Sequence, residues 1–207
     1  MKKSTKNQIN IALFYGGLWG ILEATIGYVL HWLPTLISGA IMFPIGVALM
    51  AMAYKESGSR QVVLNMAVVA AAIKLVNLFM PNLSVMKVIN PSISILIEGA
   101  VVLVGISALV GSNKGRLVAA AIGTSLAWRS IFVTYMVGQS FVSGKVASYT
   151  ASLPAALEFV IVTGLISAAM VAVVAYFISI KETHIAKRTP LASVASCAIA
   201  LVLTLLL

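Results

Sequence analysis

The chain has 207 residues, of which 61% are hydrophobic and only 9% are charged. A soluble domain carries about 25% charged residues, so this composition is typical of a chain whose surroundings are mostly lipid. The formal net charge of +9 requires no nucleic-acid partner, because it follows from the membrane topology described below. The single cysteine, Cys197, excludes a disulfide within the chain.

Apolar length predicts the elements, since a helix that crosses a bilayer needs about 20 apolar residues. We predict six spans and a shorter seventh run, near 11–33, 35–54, 61–80, 88–111, 116–138, 153–180 and 191–207. The runs lack period-two alternation, which excludes strands. The predicted fold is an all-α, polytopic integral membrane helix bundle. It forms one domain, 1–207, with its core at 10–180, and the hydrophobic segment 190–207 either crosses the bilayer or only anchors in it.

The first span carries a stripe of small residues in "ALFYGGLWGILEA". Ala12, Gly16, Gly20 and Ala24 follow one another at four-residue spacing, which permits close approach of another helix. The stripe is therefore a candidate docking surface for a partner. At about 100° per residue Glu23 lies only about 60° from Gly20, so the stripe also faces partly into the protein's own interior.

Four charged residues lie inside predicted spans: Glu23, Lys74, Glu98 and Arg129. Counting from the predicted span ends at about 1.5 Å per residue places all four at a similar height. Each costs several kcal/mol if it faces lipid, so we expect them in the bundle interior. Two interpretations follow. Either Lys74 pairs with Glu98 or Glu23 and Arg129 with the other carboxylate to fix helix register, or some of these groups line a polar cavity and bind a solute.

Further polar groups are predicted on the outer side of this charged layer. Asn77 and Glu158 are the two least easily assigned to packing, and Glu158 follows Pro154 in the first turns of its span, where the positive helix end favours a carboxylate. The predicted substrate-binding residues are Glu23, Lys74, Asn77, Glu98, Arg129 and Glu158. The long connection "GQSFVSGKVASYTASLP" (138–154) is either a lid over the pocket or a slack loop.

Basic residues in the connections predict the orientation. Of the fourteen Lys and Arg residues, the following ten fall on one side: Lys2, Lys3, Lys6, Lys55, Arg60, Lys114, Arg116, Lys181, Lys187 and Arg188. Only Lys87 and Lys145 fall on the other side. The positive-inside rule then places the N terminus in the cytoplasm and the pocket on the outer side.

Several chemistries are not expected. The sequence contains no aspartate, which removes the Asp-rich motifs that hold magnesium and diphosphate. Its two histidines, His31 and His184, lie at opposite ends of different helices and predict no metal site. No nucleophile motif or P-loop is present, so we expect neither enzymatic activity nor a cofactor. Energy for any transport must come from a gradient or another subunit.

The phrases "GGLWGILEATIGYVLHWLP" and "NPSISILIEGAVV", the small-residue stripe and the basic-inside bundle resemble the substrate-binding S component of an energy-coupling factor (ECF) vitamin transporter. The resemblance covers roughly residues 10–180. It implies a micronutrient-binding subunit in a bacterial or archaeal cytoplasmic membrane. Its implied partners are a transmembrane coupling subunit, docked on Ala12, Gly16, Gly20 and Ala24, and cytoplasmic ATPases.

Two features depart from that family's pattern. Its members usually have six helices with both ends inside, so the run after Pro190 is extra. The connection "HWLPTLIS" (31–38) is short for a pocket-covering loop. Two other functions remain open from the sequence: a self-contained secondary transporter or channel, in which the charged layer relays protons or ions, and a non-transporting membrane scaffold.

Overall fold

A computed structural model describes residues 5–30, 35–81, 84–180 and 188–207 of the chain. Within these ranges the regular structure is helical, with no strand. The α-helices are, in chain order, α1 (Thr5–Leu30), α2 (Thr35–Ser57), α3 (Gln61–Leu75), α4 (Val85–Leu109), α5 (Lys114–Ser143), α6 (Leu153–Leu157), α7 (Thr163–Ile180) and α8 (Pro190–Leu206). Two 3-10 turns cover Val76–Phe79 and Ser148–Thr150, and a π-helical turn, Glu158–Val162, joins α6 to α7.

Within the described ranges, six helical segments are long and apolar enough to cross a membrane, which confirms the predicted number of core spans. The sixth is composite, running over Leu153–Ile180 through the π-helical turn. The shorter α8, with 17 residues, is the predicted C-terminal helix. The chain is thus an all-α bundle whose helices fit an integral membrane protein.

The six spans pack as a closed ring. Each helix contacts the next in the order α1, α3, α4, α5, α7, α2 and back to α1, while α8 lies outside the ring, mainly against α1. The described basic residues that flank the helices and meet at one end of the ring, the basic end, are Lys55, Arg60, Lys114, Arg116 and Arg188. We call the opposite end the cavity end. Which side of a membrane each end faces stays a prediction of the positive-inside rule.

Capping residues mark where α5 begins and ends, and they lie outside the apolar run that predicted this span. Asn113 caps α5, its side chain accepting a hydrogen bond from the Arg116 amide at 3.0 Å. Gly144, with φ of 66°, ends α5 in a left-handed conformation that glycine adopts without strain. The predicted boundary at 138 was therefore five residues short, because apolar length marks the lipid-facing stretch and not the helix end.

Helix α8 lies alongside α1 and runs in the same direction. The Ser193 hydroxyl donates to the Asn10 carbonyl at 2.8 Å, and further along a Cβ at Gly20 would lie 3.1 Å from the Cβ of Ala200. Small side chains on both helices therefore allow this close approach. The helix continues to the cavity end, where Thr204 and Leu207 line the cavity described below.

A buried polar cluster ties α8 to the ring at the basic end. Glu56, which is only 3% exposed, accepts hydrogen bonds from Tyr15 Oη at 3.0 Å and from Arg188 Nε at 3.1 Å. The Arg188 guanidinium also donates to Tyr15 Oη and lies 4.2 Å from the centroid of the Phe14 ring. Burial alone would lower the pKa of Arg188, but its bond to Tyr15 and the charge of Glu56 raise it. The cluster therefore keeps its cation and joins α1, α2 and the start of α8.

Candidate functional site

A cavity of about 620 Å³ opens between the helices at the cavity end. Its lining is drawn from all six spans, the sixth through Phe159 of its π-helical turn, from α8 and from the connection after α5. The polar and charged side chains of the lining are Glu23, Tyr28, Lys74, Asn77, Lys87, Asn90, Ser94, Glu98, Tyr149 and Thr204. A volume of this size suits a ligand of drug or metabolite size, for which about 300–1,000 Å³ is usual.

Four of the six predicted binding residues line this cavity: Glu23, Lys74, Asn77 and Glu98. Glu98 is 7% exposed, and its Oε1 accepts a hydrogen bond from Ser94 Oγ at 2.9 Å. Glu23 interacts electrostatically with both Lys74 and Glu98. Across the described ranges, however, the one salt bridge within 4.0 Å joins Arg188 to Glu56 at the basic end. The predicted register-fixing ion pairs of Lys74 and Arg129 with Glu23 and Glu98 are thus not formed.

The charged residues of the cavity lie at two levels and not at the single height predicted from span ends. Gly20 packs beside Ile73, which places Glu23 of α1 close to the level of Lys74 of α3. Gly99 packs directly on Ala67, so its neighbour Glu98 lies about six residues, or roughly 9 Å, further towards the basic end than Lys74. The single-height prediction was wrong because spans begin at different levels and apolar length does not locate their ends.

An aromatic wall formed by Trp128, Phe132, Tyr149 and Phe159 lines one side of the cavity. Tyr149 stacks on Phe159 with ring centroids 4.8 Å apart and an interplanar angle of 26°. Trp128 meets Phe159 edge to face at 6.1 Å, and Phe132 lies 6.1 Å from Trp128. Such pairs hold the rings in fixed orientations and give the cavity a rigid apolar side.

Tyr149 comes from the connection that the sequence left as either a lid or a slack loop. It is 9% exposed and lies in the turn Ser148–Thr150. Burial, with a smaller contribution from Tyr135, raises the pKa of its phenol to about 12. The loop therefore contributes a neutral aromatic side chain to the cavity wall.

Arg129 lies behind the aromatic wall and does not line the cavity. It is fully buried, and its guanidinium lies 4.5 Å from the centroid of the Trp128 ring. Its nitrogens donate to Thr163 Oγ1 at 3.2 Å, to the Ser125 carbonyl at 3.0 Å and to the Gly39 carbonyl at 3.3 Å. Arg129 thus joins α5 to α7 and α2, and its packing against Trp128 positions the wall.

Glu158, the sixth predicted binding residue, is exposed and does not line the cavity. It begins the π-helical turn, whose next residue, Phe159, is buried in the aromatic wall. The extra backbone residue of a π-helical turn shifts the facing of side chains relative to an α-helix. Sequence counting with an α-helical period could not anticipate that shift.

The predicted docking stripe is covered by helices of the same chain. A Cβ at Gly16 would lie 2.6 Å from Val69 Cβ of α3, and Gly20 lies against both Ile73 of α3 and Ala200 of α8. Ala12 and Ala24 are likewise buried, at 3% and 6% exposure. In this structure the stripe therefore serves packing within the chain and offers no open surface.

Two buried polar atoms on lining residues have no hydrogen-bond partner among the described residues: Asn77 Oδ1 and Trp128 Nε1. An unpaired buried donor or acceptor costs about 1–3 kcal/mol. A ligand that accepts a hydrogen bond from the Trp128 indole N–H and donates one to Asn77 Oδ1 would recover that free energy.

Sequence reasoning missed Ser94, Trp128, Tyr149 and Phe159 as lining residues. A signal existed for two of them. Ser94 stands four residues before Glu98 on one helix face, and Trp128 stands four residues before Phe132. Nothing in the sequence marked Tyr149 or Phe159, whose positions depend on the turn and the π-helical turn.

His31 and His184, for which no metal site was predicted, lie outside the described residues, as does much of the connection 31–38. Comparison with protein-family models, with curated proteins and with solved structures found no match to this chain.

Proposed function

We propose that this chain is a membrane-embedded substrate-binding subunit for uptake of a small organic micronutrient. The observation that carries the proposal is the cavity of about 620 Å³ in which Glu23, Lys74 and Glu98 lie without a salt bridge between them. Ionisable groups inside membrane helices are costly and usually functional. Charges placed only to fix register would be expected in ion pairs, so their arrangement around an open volume favours binding.

The packing below the cavity supports a binding subunit over an open channel. The fully buried residues between the cavity and the basic end include the apolar side chains of Phe43, Val47, Met50, Met66 and Ile106. These side chains close the ring on the side away from the cavity. A solute bound in the cavity then needs a conformational change to reach the basic end.

We further propose that a transmembrane coupling subunit and cytoplasmic ATPase subunits supply the energy for that change, since the chain has no ATPase motif of its own. Docking of such a subunit on the stripe from Ala12 to Ala24 requires both α8 and α3 to move away from α1, because these two helices cover it. Docking on any other face leaves α8 in place. Accessibility of Cys197, which lies on α8, separates the two routes.

The test is native mass spectrometry of the protein released gently from its membrane. A bound organic molecule together with ATPase subunits is the expected result. A folded preparation that carries neither ligand nor ATPases contradicts the proposal. Solute flux into liposomes by the purified chain alone would instead identify a self-contained secondary transporter.

A further inference from the structure

The charged groups of the cavity are distributed unevenly along its depth. Towards the mouth the lining holds two ammonium groups, Lys74 and the exposed Lys87, and one carboxylate, Glu23. Roughly 9 Å deeper, the described lining holds the carboxyl group of Glu98 and no cationic side chain. The mouth therefore has more ammonium groups than carboxyl groups, and the deep end has a carboxyl group without a neighbouring cation in the lining.

The carboxylate of Glu98 retains capacity to accept hydrogen bonds. Its Oε1 accepts from Ser94 Oγ at 2.9 Å, and the described part of the chain offers no hydrogen-bond donor to Oε2. Arg129 interacts electrostatically with Glu98, yet its own nitrogens donate to Thr163, Ser125 and Gly39. The guanidinium therefore does not occupy the oxygens of Glu98, which are left for a ligand.

The aromatic wall also borders the cavity. Tyr149 and Phe159 stack nearly parallel, at 26°, and Phe132 lies nearly parallel to Tyr149, at 23°. Because stacked rings cover each other's inner faces, the outer faces and the edges of this row are what a planar molecule can contact, and the outer faces also attract a cation.

We propose that the ligand is a flat, bipolar organic molecule with a cationic amine or amidine at one end and an anionic group at the other. Its ring lies against the wall of Trp128, Phe132, Tyr149 and Phe159, its cationic group binds Glu98, and its anionic group binds Lys74. This inference rests on the proposed binding function and adds the chemical class and the orientation of the ligand.

The probe is 4-amidinobenzoate, a planar ring with an amidinium and a carboxylate at opposite ends. The comparison probes are benzamidine, which has only the cation, benzoate, which has only the anion, and benzamide, the neutral analogue of benzamidine. Probes of this size bind with dissociation constants of about 1 mM, which saturation-transfer NMR on the protein in nanodiscs measures.

Two variants with matched controls assign the two ends. Glu98→Gln is paired with Glu158→Gln, a carboxylate that is exposed and outside the cavity. Lys74→Gln is paired with Lys145→Gln, an exposed lysine in the connection after α5. We expect Glu98→Gln to weaken 4-amidinobenzoate and benzamidine at least about tenfold and to leave benzoate within about twofold. Lys74→Gln is expected to weaken 4-amidinobenzoate and benzoate and to leave benzamidine unchanged.

If Glu98→Gln fails to fold, the wild-type protein still tests whether the cavity binds a cationic group. We expect it to bind benzamidine at least about tenfold more tightly than benzamide. Equal affinities for those two probes, or no binding of 4-amidinobenzoate at 10-fold the expected dissociation constant, overturn the inference. A captured native ligand without a cationic group also overturns it while leaving the proposed function intact. A folded protein that captures no ligand refutes the proposed function itself.

Discussion

Replacement of Gly17 by alanine tests whether α8 depends on the close approach to α1. A Cβ at this position would lie 2.5 Å from Ser196 Oγ, 2.7 Å from Ser196 C and 2.7 Å from Cys197 N. The hydroxyl can rotate away, but the two backbone atoms cannot, so α8 must shift by roughly 1 Å to restore ordinary contact distances of about 3.5–4.0 Å. A gap of that size forfeits a quarter to a half of the affected packing energy.

We expect Gly17→Ala to weaken the docking of α8 by about 1–3 kcal/mol, the usual cost of overpacking. The chain carries its own reporter, because Cys197 is the single cysteine and its Sγ donates to the Leu13 carbonyl at 3.2 Å across the same interface. A thiol-reactive dye labels Cys197 through local opening of α8, so we expect the labelling rate in Gly17→Ala to be about 5- to 150-fold higher than in the wild-type protein.

Gly123→Ala is the matched control, since a Cβ on that helical glycine meets nothing within 4 Å. It should label at the wild-type rate. Equal labelling rates in the wild-type protein, Gly17→Ala and Gly123→Ala would refute the close packing of α8 on α1. The same assay in the presence of co-purified subunits tests whether a partner displaces α8.

Three further predictions concern the polar clusters. Tyr15→Phe removes a hydroxyl that bonds both Glu56 and Arg188, so we expect a loss of about 1 kcal/mol, seen as a melting temperature about 2–4 °C lower in detergent; an unchanged melting temperature would contradict the cluster's role. In Arg129→Lys the ammonium group cannot reproduce the three divergent hydrogen bonds of the guanidinium, so we expect both a lower melting temperature and weaker ligand binding. Wild-type values in both measurements would contradict the role of Arg129 in positioning the aromatic wall. Burial raises the pKa of Tyr149 from 10.0 to about 12, so the stability contributed by its neutral phenol is fully present below pH 10 and is lost as pH rises through about 12. The free energy of unfolding, measured over pH 9–12, should therefore depend less on pH in Tyr149→Phe than in the wild-type protein. Identical pH dependence in the two proteins would contradict the burial of Tyr149.

The ring of six spans was predictable because lipid imposes a length on every apolar helix and leaves few alternatives. The same reasoning located Glu23, Lys74, Asn77 and Glu98, since polar groups inside spans are expected to face the bundle interior. The sequence could not distinguish these four residues from Arg129. All five side chains avoid lipid, and the packing of the helices determines that the first four line the cavity while Arg129 lies behind its wall.

Features that depend on helix ends and on irregular turns were not accessible from periodicity. The π-helical turn buries Phe159 and leaves Glu158 exposed, and the turn Ser148–Thr150 inserts Tyr149 into the wall. The glycine stripe illustrates a different limit. Its spacing correctly indicates a close helix–helix contact, but spacing cannot distinguish a helix of the same chain from a partner, and here α3 and α8 occupy it.

Blocking the cavity tests the central claim most directly. Gly39 lines the cavity, and the nearest atom to a Cβ built there is Trp128 Cη2 at an ordinary 3.6 Å, so Gly39→Leu places a larger side chain at the cavity without a backbone clash. Gly138→Leu is its control, because nothing lies within 4 Å of a Cβ there. After incubation with a small-molecule extract, the wild-type protein and Gly138→Leu should retain the same organic compound by mass spectrometry, and Gly39→Leu should not. Equal retention by all three folded proteins would contradict a ligand site in this cavity.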